Sequence, residues 1–200
     1  MTIWFTADLH LSHARIAELA GRPFTDVDSM NAAIVDAWND RVTIDDTVWV
    51  LGDVALGKIA DTLPLVGLLT GRKILVAGNH DRCWTGHRKV GDWPQRYLDA
   101  GFTAIEDIAL VGILPSHVAT VCHFPYAGDS NDTDRYAEHR PTNHGGWLLH
   151  GHSHGRWRQR GRMIDVGVDA WAGRPVSEHE IAALIDAGPN DLPALPWETP

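Results

Sequence analysis

An α/β fold is predicted by two features of the sequence: short apolar runs that each stop abruptly at glycine, aspartate, asparagine or histidine, and segments of helical period lying between them. Ile3 to Ala7 is the first such run, ending at Asp8 as a buried strand would. Asp28 or Ser29 then caps a helix on which Met30, Ala33, Ile34, Ala37 and Trp38 make one apolar face. Thr47 to Leu51 is β-branched and aromatic and is stopped by Gly52-Asp53. A weaker helical segment spans Lys58 to Leu69, with Pro64 limiting its regularity. Lys73 to Ala77 is a third run, stopped by Gly78-Asn79-His80-Asp81. Farther on, Ile108 to Leu114 and Val118 to Cys122 flank Pro115-Ser116 in a hairpin-like arrangement. Residues 125–143 are polar and aperiodic, a long surface loop of the kind that is often functional. Gly146 to His150 and Met163 to Val168 read as strands. Ser177-Glu178-His179-Glu180 opens a helix with a capping box, stapled by Val176 and Ile181 and stopped at Gly188-Pro189. With no internal repeat or linker, residues 1–188 read as one domain, and 189–200 as an extended tail containing Pro193, Pro196 and Pro200.

Composition excludes several functions. The 200 residues are 44% hydrophobic and 22% charged, an ordinary globular balance. No apolar run approaches the roughly 20 residues of a membrane span, and Met1 to Phe5 reads as a strand rather than a signal peptide. A formal net charge of −9 offers no general basic surface for long nucleic acid. Cys83 and Cys122 have neither disulfide-framework nor zinc spacing and suit a reducing cytoplasm.

The chemistry lies in a repeated arrangement: an apolar strand runs out and at once presents metal-ligand side chains. This occurs at Asp8-Leu9-His10, Gly52-Asp53, Gly78-Asn79-His80-Asp81 and His150-Gly151-His152-Ser153-His154, with His123 following the run Ala119 to Cys122. Strand carboxyl ends are where sites assemble in open α/β sheets, so distant residues can converge there. In an extended segment, positions i and i+2 point the same way, which lets Asp8 and His10 share one ion and His152 and His154 reach two. Gly52, Gly78 and Gly151 permit close backbone approach. Carboxylate, amide oxygen and imidazole together suit Mn²⁺, with Fe or Zn²⁺ as alternatives, better than Ca²⁺ or a thiolate zinc site. Two cations need one bridging anion, and Asp53, alone in its motif, is the candidate.

Asp-x-His, Gly-Asp, Gly-Asn-His-Asp, a lone His and Gly-His-x-His, in that order from Ile3 to Asp169, resemble the calcineurin-like metallophosphoesterases. The resemblance implies a two-sheet α/β sandwich with helices outside. It implies that Asp8, His10, Asp53 and His154 hold one divalent ion, and Asp53, Asn79, His123 and His152 the other. It places His80 at the leaving group, with Asp81 behind it orienting the ring. Hydrolysis by a metal-bound hydroxide is then expected, the ions standing roughly 3.5–4 Å apart. The substrate expected is a small phosphodiester of nucleotide or cyclic type; the alternatives are a phosphomonoester, as in nucleotide or protein phosphatases, and a non-catalytic scaffold. His13 and Arg82 are candidates for substrate phosphate, each set against a solvent-facing role. His117 competes with His123 but begins its strand rather than ending it. Trp84 and Trp157 could stack on a base or aromatic leaving group, whereas the other tryptophans read as packing.

Overall fold

In the computed structural model, which describes residues 1–197, the apolar runs become strands and the strands form two sheets. The elements are β1 (Ile3–Thr6), α1 (Ile16–Ala20), α2 (Val27–Asn39), β2 (Thr47–Val50), α3 (Ile59–Thr62), β3 (Arg72–Val76), α4 (Trp93–Asp99) and β4 (Phe102–Glu106) in the first half. They continue with β5 (Ile108–Ile113), β6 (His117–Cys122), β7 (Trp147–His150), β8 (Gln159–Gly161), β9 (Met163–Asp165), β10 (Val176–Ser177), α5 (Glu178–Ala187) and β11 (Asn190–Leu192). The first sheet has the order β10-β1-β2-β3-β4 and the second β11-β8-β9-β7-β6-β5. Strands β1 to β4 are mutually parallel, as are β6, β7 and β9, so each set opens its carboxyl ends in one direction.

Both faces of the inner strands are covered, which is why they read as continuous apolar runs rather than alternating ones. Val48, Val50 and Leu75 pack with Met30, Ile34 and Trp38 of α2 in one core cluster. Phe5, Leu51 and Val76 pack instead with Val111, Val121, Leu149 and Ile164, joining the two sheets face to face in a second. This is the expected sandwich.

Several local expectations are revised. Helix α2 is capped by Asp26, whose extended backbone lets its carboxylate accept from Ser29 N at 2.8 Å, not by Asp28 or Ser29. The Lys58–Leu69 segment divides into α3 and a 3₁₀ stretch, Leu63–Leu68, because Pro64 cannot donate to a continuing α-helix. The Met163–Val168 strand ends at Asp165, whose side chain accepts from Gly167 N and turns the chain into a 3₁₀ turn at Val168–Ala170. Within the expected tail, β11 pairs with β8 and Leu195 bridges to Trp171; residues 198–200 lie outside the described residues. The hairpin β5–β6 and the capping box of α5 form as expected.

Asp46 fixes the start of the first sheet. Its carboxylate accepts from Thr2 N at 2.7 Å, Thr43 N at 2.9 Å and Trp4 Nε1 at 3.2 Å. Burial opposes its ionisation, but these donors outweigh it and hold the pKa down to about 2. A depressed carboxyl stabilises the fold above its unfolded pKa, and the stabilisation is lost as pH falls through the folded value. Asp46→Asn should therefore cost roughly 1–3 kcal/mol at pH 7. The gap from wild type should close toward pH 2, as read by urea denaturation across the pH range.

Candidate metal centre

Asp8 and His10 follow β1, Asp53 follows β2, Asn79 and His80 follow β3, His123 follows β6, and His152 and His154 follow β7. Backbone bonds hold these exits in register: Asp8 N and His10 N donate to Gly52 O and Asp53 O, each at 2.9 Å, and Gly151 N donates to His123 O at 3.0 Å. Between the sheets, Val168 N donates to Ala7 O at 3.0 Å.

The candidate ligand residues are not extended. Asp8, His10, Asp53, His152 and His154 all have left-handed backbones, with φ of 56°, 49°, 55°, 68° and 46°. The expectation that Asp8/His10 and His152/His154 share a face through strand geometry is thus corrected. Each pair converges because both its members are turned left-handed, at roughly 1–2 kcal/mol per residue. A β-carbon on Gly52, itself at φ 89°, would lie 2.6 Å from His123 Nδ1, and one on Gly78 would lie 2.4 Å from Asp53 Oδ1. Only glycine fits at these two exits.

The side chains form two adjoining clusters. In one, His10 and His154 stack at 4.9 Å between ring centroids, and each presents Nε2 3.9 Å from Asp8 Oδ1. In the other, His123 Nε2 lies 3.2 Å from Asn79 Oδ1 and 3.6 Å from Asp53 Oδ2, with the His152 ring 5.2 Å from that of His123. Asp53 Oδ2 is also 3.6 Å from His10 Nε2, so it stands between the clusters. Asp8 lies close enough to belong to donor groups on both sides, but its Oδ2 is already engaged by His152 N at 2.9 Å.

A cation fits these donors. Asp8 Oδ1 and both ring nitrogens of His10 are buried without a hydrogen-bond partner, a costly arrangement for a bare site. His123 Nδ1 donates to Leu51 O at 2.7 Å, so the neutral ring turns a lone pair on Nε2 toward Asn79 Oδ1, which is also an acceptor. Two facing acceptors call for a cation between them. The surroundings agree: burial, aided by the neighbouring rings, pushes His10 well below the ordinary imidazole range and His152 down to about 3, so both rings are neutral and could serve as ligands. Burial resists ionisation of Asp53, but the neighbouring histidines and the hydrogen bond from His80 N bring its pKa below the ordinary carboxylate value. Burial also pushes Asp8 up. It opposes a charged His154, yet Asp8 and Asp169 bring that ring up to about 9; a bound cation would displace the proton this pair holds.

His80 sits at the rim, half-exposed, its backbone N donating to Asp53 Oδ1 at 2.9 Å and its Nε2 3.9 Å from Asp53 Oδ2. His13, partly buried, has its ring 5.5 Å from that of His10. Exposed Arg82 lines a recess of about 170 Å³ with Asn79, His80 and His87. Asp81 does not orient the His80 ring. Its Oδ2 accepts from Asp53 N and Gly78 N and its Oδ1 from Val54 N, so this fully buried carboxyl anchors the two ligand loops. Burial and the nearby Asp53 push its pKa up to about 7. Trp84 and Trp157 are also corrected: both are buried, Trp84 against Phe124 and Trp157 against His150, and neither offers a face to a base. His117 pairs with Asp186 at 2.8 Å, leaving His123 as the histidine of this strand at the site.

One buried pair has no sequence signal because its partners are 147 residues apart. Arg22 grips Asp169 through Nε at 2.8 Å and Nη2 at 3.0 Å, and donates to Asp8 O and Leu9 O. Asp169 in turn accepts from His154 Nδ1 at 3.0 Å, fixing the tautomer that leaves Nε2 free.

Comparison with known proteins gives a consistent set of similarities. The family model described as calcineurin-like phosphoesterase matches residues 1–108, which include Asp8, His10, Asp53, Asn79 and His80. The Gene 66 protein of Mycobacterium phage L5 is 36% identical over 196 residues, covering 92% of this chain and 93% of the relative. An uncharacterized protein of Methanocaldococcus jannaschii is 29% identical, covering 93% and 92% respectively. Among solved structures, a protein of unknown function from Aquifex aeolicus superposes with a TM-score of 0.70 at 25% identity, covering 92% of this chain and 98% of its own.

Proposed function

Because the chain belongs to the calcineurin-like phosphoesterase family, whose members hydrolyse phosphoesters with metal ions, we propose that it is a two-metal phosphodiesterase acting on small diesters of nucleotide or cyclic type. The observation that carries the two-metal reading is the place of Asp53 Oδ2, 3.6 Å from His10 Nε2 of one cluster and 3.6 Å from His123 Nε2 of the other. Asp8, His10 and His154 with Asp53 would hold one cation, and Asn79, His123 and His152 with Asp53 the second. The cations, when bound, acidify water and neutralise phosphoryl charge. The oxygen and imidazole donor set favours Mn²⁺, with Fe and Zn²⁺ as alternatives.

The chain's own residues supply the remainder. His80, exposed beside Asp53, is placed to give a proton to the departing oxygen. The recess formed by Leu56, Gly57, Ile59, Arg82 and His87 adjoins it and would receive the leaving group. Preference for a diester over a monoester dianion is supported by the scarcity of free cations. Arg135 and Arg140 of the long loop are held by Asp129 and Asp134, and Arg82 is the exposed arginine at the recess. Intact ligands together with His80 favour catalysis over a scaffold role. The net charge of −9 favours a small ester over a long polyanion, and two buried free thiols are in keeping with a reducing cytoplasm.

The test compares kcat/KM for a bis-aryl phosphodiester and the matching aryl monoester with Mn²⁺, followed by a screen of cyclic and short nucleotide diesters. A higher value for the diester, abolished by chelator, is expected. A preference for the monoester would replace the diester reading with phosphomonoesterase, and no turnover of either would favour the scaffold.

A further inference from the structure

His154 and His152 are both oriented by a buried aspartate that is itself held by an arginine, but the two relays are built differently. The first, Arg22–Asp169–His154, is wholly interior, with side-chain exposures of 0% for Arg22 and 2% for Asp169. The second comes from the long loop. Asp129 Oδ2 stands 3.1 Å from His152 Nε2, and Asp129 is fully buried at its side chain although it belongs to an irregular surface segment.

The loop is wrapped around this one carboxylate. Asp129 accepts from Asn131 N at 3.0 Å, Arg135 N at 3.1 Å, Arg135 Nε at 3.1 Å and Arg135 Nη2 at 2.7 Å. Arg135 is 43% exposed. Phe124 and Tyr136 pack against each other and against the His152 ring, at 5.1 and 5.5 Å from it between centroids. Since Asp129 can only accept, His152 donates from Nε2. The ring nitrogen left with a lone pair is Nδ1, on a side chain lodged against His123.

We propose that Asp129 and Arg135 are positioning residues that fix the His152 ring, so that the 125–143 loop sets the affinity of the cation bound beside His123 and leaves the other cation unaffected. The inference rests on the two-metal reading above. Aspartate behind a ligating imidazole fixes its tautomer and direction and raises its basicity, and losing such a partner costs about 10–100-fold in metal affinity. The separation between the ions follows from geometry. Asp129 touches the His123–His152 cluster, whereas the His10–His154 cluster has Asp169 and Arg22.

Calorimetric titration of the full chain with Mn²⁺ alone tests this. Wild type should show two sites. Asp129→Asn, which keeps the shape but removes the charge, should weaken one site about 10–100-fold and leave the other within twofold, with the metal-free chain still folded at a lowered Tm. Arg135→Ala, at an exposed position where misfolding is not expected, should weaken the same site less. Asp132→Ala, which removes an exposed acid of the same loop paired with Arg156, should change neither. Saturating Mn²⁺ should restore kcat in Asp129→Asn to within a few-fold, separating positioning from catalysis. Equal weakening of both sites, or of neither, in Asp129→Asn and Arg135→Ala would overturn the proposal. Fewer than two sites in wild type would overturn the two-metal reading itself, before any variant is compared.

Discussion

Asp53→Ala is expected to abolish activity, by at least about 10³-fold as for other groups that act as part of one catalytic unit, and to lower bound metal more than any other single-ligand substitution. On the two-metal reading the other candidate ligands would each serve mainly one cluster. Asp53 Oδ2 faces both His10 and His123 at equal distance, and its negative charge would hold two cations together. Its Oδ1 also accepts the His80 backbone N–H, so the loop bearing His80 would loosen with it. Asp53→Asn should separate these effects. The amide retains an oxygen for His80 N but not the charge, so metal loss should persist while the loop stays in place. Elemental analysis of the purified variants reads the outcome. Two tightly held metals in Asp53→Ala would remove the bridging assignment.

His80→Ala should behave in the opposite way, keeping both metals while losing about 10²–10⁴ in turnover of a substrate with a poor leaving group. Its ring stands at the edge of the clusters, meeting the His10 ring edge-on at 5.4 Å with Nε2 3.9 Å from Asp53, and nearly half the side chain faces solvent. The loss should shrink for a nitrophenyl ester, because nitrophenolate departs without a proton. Equal losses for good and poor leaving groups would exclude proton donation and leave electrostatic positioning as the role of His80.

Much of this site was legible because ligand type and strand end coincide. Asp8, Asp53, Asn79, His123 and His152 each follow an apolar run that had to be a buried strand, and parallel neighbours necessarily open their carboxyl ends together. What was illegible has physical causes. Helix α4 buries only Tyr97 and β4 is a five-residue edge with a mixed pattern, so neither displays a period. Strands β8, β10 and β11 are two or three residues long, below the length at which alternation means anything. Asp81 was misplaced because a motif shows which residue is present but not whether its oxygens face a ring or the backbone. Asp169 and Asp129 were missed because a carboxylate behind a histidine is a tertiary contact, made across 15 and 23 residues by chain turns that no local pattern encodes.

The division of ligands between the sheets has a consequence for how the molecule holds together. Asp8, His10, Asp53 and Asn79 hang from one sheet, and His123, His152 and His154 from the other. Elsewhere the sheets adhere through buried apolar side chains such as Phe5, Val121 and Leu149, a contact without direction of its own. At the open end, charge would replace grease: cations shared across the seam act as rivets, and rivets do not slide. The layers would then be held by packing along their length and by charge as well at the open end, so that the candidate catalytic inventory doubles as the clasp of the sandwich.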